Sequence, residues 1–336
     1  MNNIFITGES GTIPLEIEKQ VLNNKKFNIV NCQFEDKESI KKYKKHRSFS
    51  VREPEIDFLD RDLLFNKLDF IWKKTDIIIH SGAFVGTDFC QQDQQGAIRT
   101  NVEGTHNIVD VCNKYNIRLV YFSTTAIFDP DDYSDNKPIL ESTNIRPRTI
   151  YGITKYAGEQ IVDMLCETDK MIIRPVFGFG NHPKDLHSAL IKVINVLYYN
   201  HFVDSKTIDV LLNTNIEKSY IRVENLAKMA LKLIENNAWN ESINIGEPQY
   251  NSFNWKQLFE KIQEQYSQLI GDKNFINSIN LDNKSVNFIG NLDYLHYHNI
   301  CDDKLRKLGA DIDSIDSYVN IDDGIYMACK SVIKNN

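Results

Sequence analysis

Short runs of β-branched and aromatic residues recur along the chain, each closed by a polar or glycine-containing break. They are NIFIT at 3–7, FNIVNC at 27–32, DIIIHSG at 76–82, LVYFSTT at 119–125 and MIIRPVFG at 171–178. Within each run the apolar positions are nearly continuous, the pattern of strands covered on both faces. Helical spacing fills the gaps, at 17–22, 63–72, 97–115 and 151–166. Strands alternating with helices predict βαβ units with right-handed crossovers, hence an α/β fold with a Rossmann-type, doubly wound parallel sheet.

Beyond residue 178 the alternation becomes irregular. The stretches HPKDLHSALIKVINVLYYNHFVDSKTIDVLLN and YNSFNWKQLFEKIQEQYSQLIGD carry helical patterns with loops and short strands between. This predicts a nucleotide-binding domain over 1–178 and a smaller C-terminal α/β lobe over 179–336 for substrate. The chain is expected to return to the main sheet near 218–226 (SYIRVENL) and 241–247 (SINIGEP). No internal repeat and no low-complexity linker interrupts this plan.

A length of 336 residues suits one large domain or two smaller ones, and 42% hydrophobic with 25% charged residues is an ordinary globular composition. The formal net charge of -7 argues against a nucleic-acid surface, which needs clustered Lys and Arg. The basic run KKYKKHR at 41–47 reads as a solvated helix end. Six scattered cysteines without a C-x-x-C pair fit reduced thiols better than a disulfide framework or a metal site. No signal peptide or membrane-length apolar run is present, so the expectation is a cytoplasmic protein with no membrane partner.

Chemistry enters at TGESGTIP, residues 7–14. A strand, a glycine turn and a helix start form a phosphate cradle: Gly8 permits the turn, Gly11 lets the backbone approach a pyrophosphate, and the helix N-terminus supplies N–H groups. A third glycine would fall at Pro14, which is acceptable in a first helical turn. The second strand places Asn31 at the ribose position, and Glu35 with Asp36 would repel a 2′-phosphate. NAD is therefore expected, in preference to NADP.

The segment YGITK sets Tyr151 and Lys155 four residues apart on one helix face. A phenol titrates near pH 10, too high for easy proton exchange at neutral pH. A neighbouring ammonium is expected to stabilise the phenolate and lower that value. Thr124, at the C-terminal end of LVYFSTT, is placed to orient the reacting oxygen.

Taken together, TGESGT (7–12), DFLD (57–60), HSGA (80–83), NVEGT (101–105), STTAIF (123–128), YGITKYAGE (151–159) and RPVFGFGN (174–181) resemble the extended short-chain dehydrogenases/reductases, the NAD-dependent epimerase/dehydratase family. The resemblance implies Thr124, Tyr151 and Lys155 as the catalytic set. It implies that Gly8, Ser10, Gly11, Thr12 and Ile13 meet the pyrophosphate and that Asn31 meets the ribose. Asp57 and Phe58 would flank the adenine; Gly82, Ala83 and Val85 would line the cofactor; Pro175 and Val176 would approach the nicotinamide. Asn101 would support the active-site lysine through its backbone or a water. Thr125, Asn181, His182 and Arg222 match substrate positions, the last three near the nucleotide diphosphate.

Within the family, 4,6-dehydratases carry an Asp-Glu pair after the catalytic Thr, where this chain has Thr125 and Ala126, neither of which titrates. Dehydration is not expected. The run from Gly82 to Pro130 is similar to that of dTDP-4-dehydrorhamnose reductase-like enzymes, with Thr125 departing from their Asp. The resemblance thus implies an NAD(P)-dependent reductase of a 4-keto nucleotide sugar, or the reverse dehydrogenase. A C4 epimerase with bound NAD is the alternative, and a non-catalytic NAD(P)-binding subunit the second. Family members dimerise through the helices here at 97–115 and 151–166. Ile108, Val109, Ile161, Val162 and Leu165 fit either that homodimer or packing on the sheet.

Overall fold

A computed structural model describes residues 1–8, 11–30, 57–129, 138–180, 190–191, 194–195, 197–198, 208–210, 218–246, 252–271, 286–288 and 300–335. The basic run at 41–47 lies outside these residues, as do Ser10, Asn31, Asn181 and His182. Contacts divide the chain into two units. The first holds Met1–Ile127, Pro147–Arg174 and Ala230–Ile243; the second holds Phe128–Arg146, Pro175–Met229 and Asn244–Asn336.

The first unit is built on a six-stranded sheet. Its strands are β1 (Asn2–Thr7), β2 (Phe27–Ile29), β3 (Ile77–His80), β4 (Arg118–Phe122), β5 (Lys170–Pro175) and, after three further strands, β9 (Glu241–Ile245). Their order is β2-β1-β3-β4-β5-β9. β1 pairs in parallel with β2 and β3, β3 with β4, and β4 with β5. Winding starts at β1 and departs in opposite directions, so the carboxyl ends of β1 and β3 form the switch point where such sheets bind ligands. The runs of branched residues seen in the sequence are buried here: Ile4, Phe5, Ile77, Ile78, Ile79, Leu119 and Val120 are at most 1% exposed.

Helices Thr12–Asn23, Gly104–Tyr115 and Ile150–Leu165 belong to this unit. The helical pattern at 97–115 is divided by a π-helical turn, Arg99–Glu103, and that at 63–72 by a second one, Leu63–Lys67. Such turns rotate side chains out of α register, which the 3.6-residue spacing alone does not foretell. Ile108, Val109 and Val162, compatible on sequence with a dimer face or the sheet, pack in the core with Leu119, Tyr121 and Trp72. In the stretches 97–115 and 151–166 the large apolar residues left exposed are Ile98, Ile153, Met164 and Leu165.

The second unit contains a three-stranded sheet of β6 (Phe177–Phe179), β8 (Lys218–Arg222) and β10 (Ser252–Phe253), in the order β10-β8-β6. This corrects one of the two expected returns. The segment at 218–226 joins β6 and β10, then turns helical at Val223, whereas 241–245 does enter the large sheet. A strand, β7 (Ile208–Val210), also interrupts the first predicted helical stretch and pairs in parallel with β11 (Val286–Phe288). Helix Trp255–Ile270 forms as its sequence dictates. Asn254 and Gln257 make a reciprocal capping box, and Gly271 closes the end at φ 71°. It packs with Ile321–Asn335 around a separate core of Leu258, Phe259, Ile262, Ile325 and Val332.

Candidate active site

The glycine turn lies at the switch point. Gly8 has φ +77°, which a side chain rarely adopts. A Cβ there would also stand 2.6 Å from the Cα of Gly82, so the turns after β1 and β3 touch backbone to backbone. Gly11 donates its N–H to the Gly8 carbonyl at 2.9 Å and caps the helix that begins at Thr12 without a side-chain bond of its own. Pro14 is buried, and a Cβ on Gly11 would meet its ring at 3.3 Å. Where a third glycine was expected, Pro14 seats the first turn of the helix against Gly11.

Phe58 packs edge-on to His80, 5.2 Å between ring centroids, and its ring occupies the space that side chains on Gly82 or Gly104 would fill. Asp57 accepts the Leu59 N–H at 2.9 Å and is exposed. Arg61 reaches Asn107 and Asp110, while Asn107 donates to the Phe58 carbonyl at 3.0 Å, tying this segment to helix Gly104–Tyr115. Ala83 and Val85 are partly buried in the loop after β3.

Helix Ile150–Leu165 starts with Thr149, whose hydroxyl accepts the Gly152 N–H at 3.0 Å. A Cβ on Gly152 would fall 2.4 Å from the Ala126 carbonyl, so glycine alone lets the helix start rest on the turn after β4. That contact brings Tyr151 close to Thr124, whose side chain opposes the rise in the phenol's pKa. Thr124 Oγ1 also accepts the Ala126 N–H at 3.2 Å, which fixes its rotamer. Thr125 is buried in the 3-10 turn that follows.

Lys155 is 2% exposed, and its ammonium stands 4.2 Å above the Tyr121 ring. One turn further, Glu159 takes a two-pronged ion pair from Arg174 of β5, at 3.0 and 2.8 Å, both residues buried. Cys90, fully buried, donates to the Phe84 carbonyl at 3.4 Å.

Electrostatics corrects one expectation. Burial pushes the Tyr151 phenol up to about 12, with Cys90 adding to the rise and the Thr124 bond opposing it. Desolvation acts on the lysine too, drawing Lys155 down to about 7 against the opposing pull of Glu159 and Cys90. In this geometry the ammonium does not depress the phenol: it lies over Tyr121, and desolvation of the half-buried Tyr151 is the largest effect. The neutral phenol is the prevailing form at neutral pH.

Asn101, expected to support the lysine, lies on the π-helical turn and is 1% exposed. Its amide grips the Phe84 backbone on both sides, accepting the N–H at 2.7 Å and donating to the carbonyl at 3.0 Å. It also donates to Thr154 Oγ1 at 3.0 Å, so its hold is on the neighbour of Lys155 and on the loop after β3.

Pro175, Val176 and Arg222 belong to the second unit. Val176 is buried and donates its N–H to the Ile245 carbonyl at 2.9 Å. Arg222, matched on sequence to a nucleotide-diphosphate contact, is 2% exposed and bonds Glu224 at 2.8 Å and the Gly324 carbonyl at 3.4 Å. Both of these bonds lie within its own unit.

Residues 1–202 match the family model described as RmlD substrate binding domain. A Methanocaldococcus jannaschii protein provisionally named a UDP-glucose 4-epimerase is 24% identical over 271 residues, 78% of this chain and 82% of that one. The dTDP-4-keto-6-deoxy-D-glucose reductase of Streptomyces niveus is 29% identical over 116 residues, 34% of this chain and 39% of that one. The crystal structure of UDP-glucuronic acid 4-epimerase from Bacillus cereus, in complex with UDP-glucuronic acid and NAD, superposes with a TM-score of 0.73 at 17% identity, covering 99% of this chain and 100% of that one. With the glycine cradle, the parallel sheet and the Thr-Tyr-Lys cluster, these matches establish that the chain belongs to the RmlD substrate binding domain family of extended short-chain dehydrogenases/reductases.

Proposed function

We propose that this protein is an NAD(H)-dependent oxidoreductase that reduces a 4-keto group on a nucleotide-activated sugar. The observation that supports the reading is Thr124, just after β4, close to Tyr151 on the helix that also carries the buried Lys155, with the glycine turns at the switch point of the same sheet. When bound on Gly8, Gly11, Thr12 and Ile13, the dinucleotide supplies hydride to the sugar carbon. Tyr151 gives its phenolic proton to the developing alkoxide, Thr124 fixes that oxygen, and Lys155 offers positive charge on the same helix face.

The protonation state is compatible with reduction. An acid that must protonate an oxygen has to hold its proton at working pH, and burial keeps Tyr151 in that form. Thr125 and Ala126 offer no titratable pair for eliminating water. The similarity to a 4-keto-6-deoxyglucose reductase points the same way.

Epimerisation at C4 is the second reading, favoured by similarity to a relative matched over 78% of this chain. Mixing purified protein with NADH and 4-keto nucleotide sugars decides between them. Stoichiometric loss of nicotinamide absorbance is expected for reduction; net isomerisation with no added cofactor would overturn it. We further propose a homodimer, with Ile98, Ile153, Met164 and Leu165 as its apolar surface.

A further inference from the structure

Beneath the glycine turns lies a polar residue that neither the proposed proton transfer nor the cofactor cradle uses. His80 ends β3, is completely buried and stands directly opposite Thr7 in the parallel ladder. Thr7 Oγ1 is 2.7 Å from His80 Nδ1, and His80 Nε2 is 3.3 Å from Thr105 Oγ1. The chain continues at both ends. Gly82 donates its N–H to Thr7 Oγ1 at 3.0 Å, and Thr105 donates to the Asn101 carbonyl at 2.7 Å.

Proton counting gives the chain a direction. A backbone carbonyl only accepts, so the Thr105 hydroxyl proton goes to Asn101; the neighbouring Tyr121 hydroxyl gives its proton to the Lys155 carbonyl at 3.2 Å, so the Thr105 oxygen receives from His80. Nε2 therefore carries the imidazole proton, and Nδ1 is bare. Thr7 then gives its own proton to Nδ1 while receiving that of Gly82. The sequence runs Gly82 N–H, Thr7 O–H, His80 Nε2–H, Thr105 O–H, Asn101 C=O, every link between groups at most 5% exposed apart from Gly82, whose N–H bond is itself buried.

Both ends of this chain reach the candidate site. Gly82 is the residue whose backbone meets Gly8, and Asn101 is the residue whose amide holds Phe84 and Thr154, next to Lys155. We propose that His80 is a positioning residue: a neutral, single-tautomer imidazole that sets the Gly82 N–H in the dinucleotide cradle through Thr7 and the catalytic helix through Thr105 and Asn101. This rests on the dinucleotide part of the proposed function, although the imidazole's role can be read without any ligand. Two features help keep the ring neutral. Burial lowers its pKa to about 3, and the Lys155 ammonium opposes a second positive charge. Tyr121 of β4, 5.8 Å away, and the edge of Phe58 complete its surroundings. Cys90, Glu159 and Tyr151 are the other titratable groups that act on Lys155 or Tyr121 here.

Two amide substitutions divide the chain. In His80→Asn the side-chain oxygen can occupy the Nδ1 position and keep the Thr7 link while losing Thr105. In His80→Gln the amide nitrogen can occupy the Nε2 position and keep Thr105 while losing Thr7. We expect His80→Gln to speed Gly82 amide hydrogen exchange about tenfold and to weaken NAD binding by a similar factor, the effect of one lost buried hydrogen bond. His80→Asn should leave both within about twofold. Both remove the ring beside Phe58, so both should lower the melting temperature alike, which is all a packing role would do. Thr7→Val and Thr105→Val keep the shape and should reproduce the same split if either histidine variant fails to fold. In the unmodified protein, imidazole nitrogen-15 shifts should show Nε2 protonated and Nδ1 bare. Equal effects of the two amides on Gly82 exchange, or an Nδ1-protonated ring, overturn the proposal. If Gly82 exchange splits as expected but no variant or parent binds NAD, the positioning chain stands and the dinucleotide reading falls.

Discussion

Replacing Lys155 by methionine should make the protein more stable and leave it inactive. The ammonium is 2% exposed, and burial lowers its pKa from the ordinary 10.5 to about 7. At about 1.4 kcal/mol per pH unit, that fall of about 3.5 pH units corresponds to about 5 kcal/mol of folding free energy forgone below pH 7. The sign follows from proton counts. Between pH 7 and 10.5 the unfolded chain holds a proton on this lysine that the folded chain has released, so stability rises with pH across that window. From pH 6 to pH 9 the lysine alone should return about 3 kcal/mol to the parent protein. Methionine carries no proton in either state, fills a similar volume and places a polarizable thioether over Tyr121. Urea unfolding at pH 6 and pH 9 should show Lys155→Met ahead by several kcal/mol at the lower pH, with the gap narrowed by about 3 kcal/mol at the higher. A gap that does not change with pH would refute the reasoning, because it would place the lysine's cost outside its ionisation.

The other consequences are simpler. Tyr151→Phe removes only the phenolic oxygen, so turnover should fall by about 10³-fold while NAD binding, followed by fluorescence titration, stays within about twofold. Gly8→Ala puts a methyl group 2.6 Å from Gly82 Cα at φ +77°, and dinucleotide affinity should fall by at least about tenfold in the same titration. Arg174→Met leaves the Glu159 carboxylate buried without its ion pair and should cost about 3–5 kcal/mol in urea unfolding. If Ile153 and Met164 form the dimer surface, Ile153→Glu with Met164→Glu should halve the mass seen by light scattering and leave the circular dichroism spectrum unchanged.

The order of legibility along the chain has a physical cause. Continuous apolar runs in β1, β3, β4 and β5 reported buried parallel strands directly, because a strand covered on both faces has no polar alternation to confuse it. Tyr151 and Lys155 were equally legible: four residues apart on a helix is a spacing fixed by local geometry. What the sequence could not display is chemistry set by neighbours far away along the chain. The expected lowering of the Tyr151 pKa assumed an ammonium facing the phenol. Helix and strand packing instead turn Lys155 onto Tyr121, and desolvation carries the phenol the other way. Arg222 reads as a basic residue suited to phosphate, yet Glu224 and the Gly324 carbonyl, the latter a hundred residues on, claim it. The strand at 218–222 has the composition of a main-sheet strand and joins β6 and β10, since pairing partners lie beyond local pattern.

His80 shows what form of signal remains available. Nothing in the run IIIHSG distinguishes a structural histidine from a reactive one, but strand register does. Once β1 and β3 are read as parallel neighbours ending in glycine turns, Thr7 and His80 fall opposite each other, and a buried imidazole beside a buried hydroxyl must share a hydrogen bond. The same register brings Gly8 and Gly82 together, so the polar pair and the cofactor turn are consequences of one pairing. A buried polar residue within an otherwise apolar strand, one position before a glycine turn, is thus informative when paired across strands rather than read along one. On that view the glycine motif and the histidine strand are halves of a single site, and substitutions in either half should be read together.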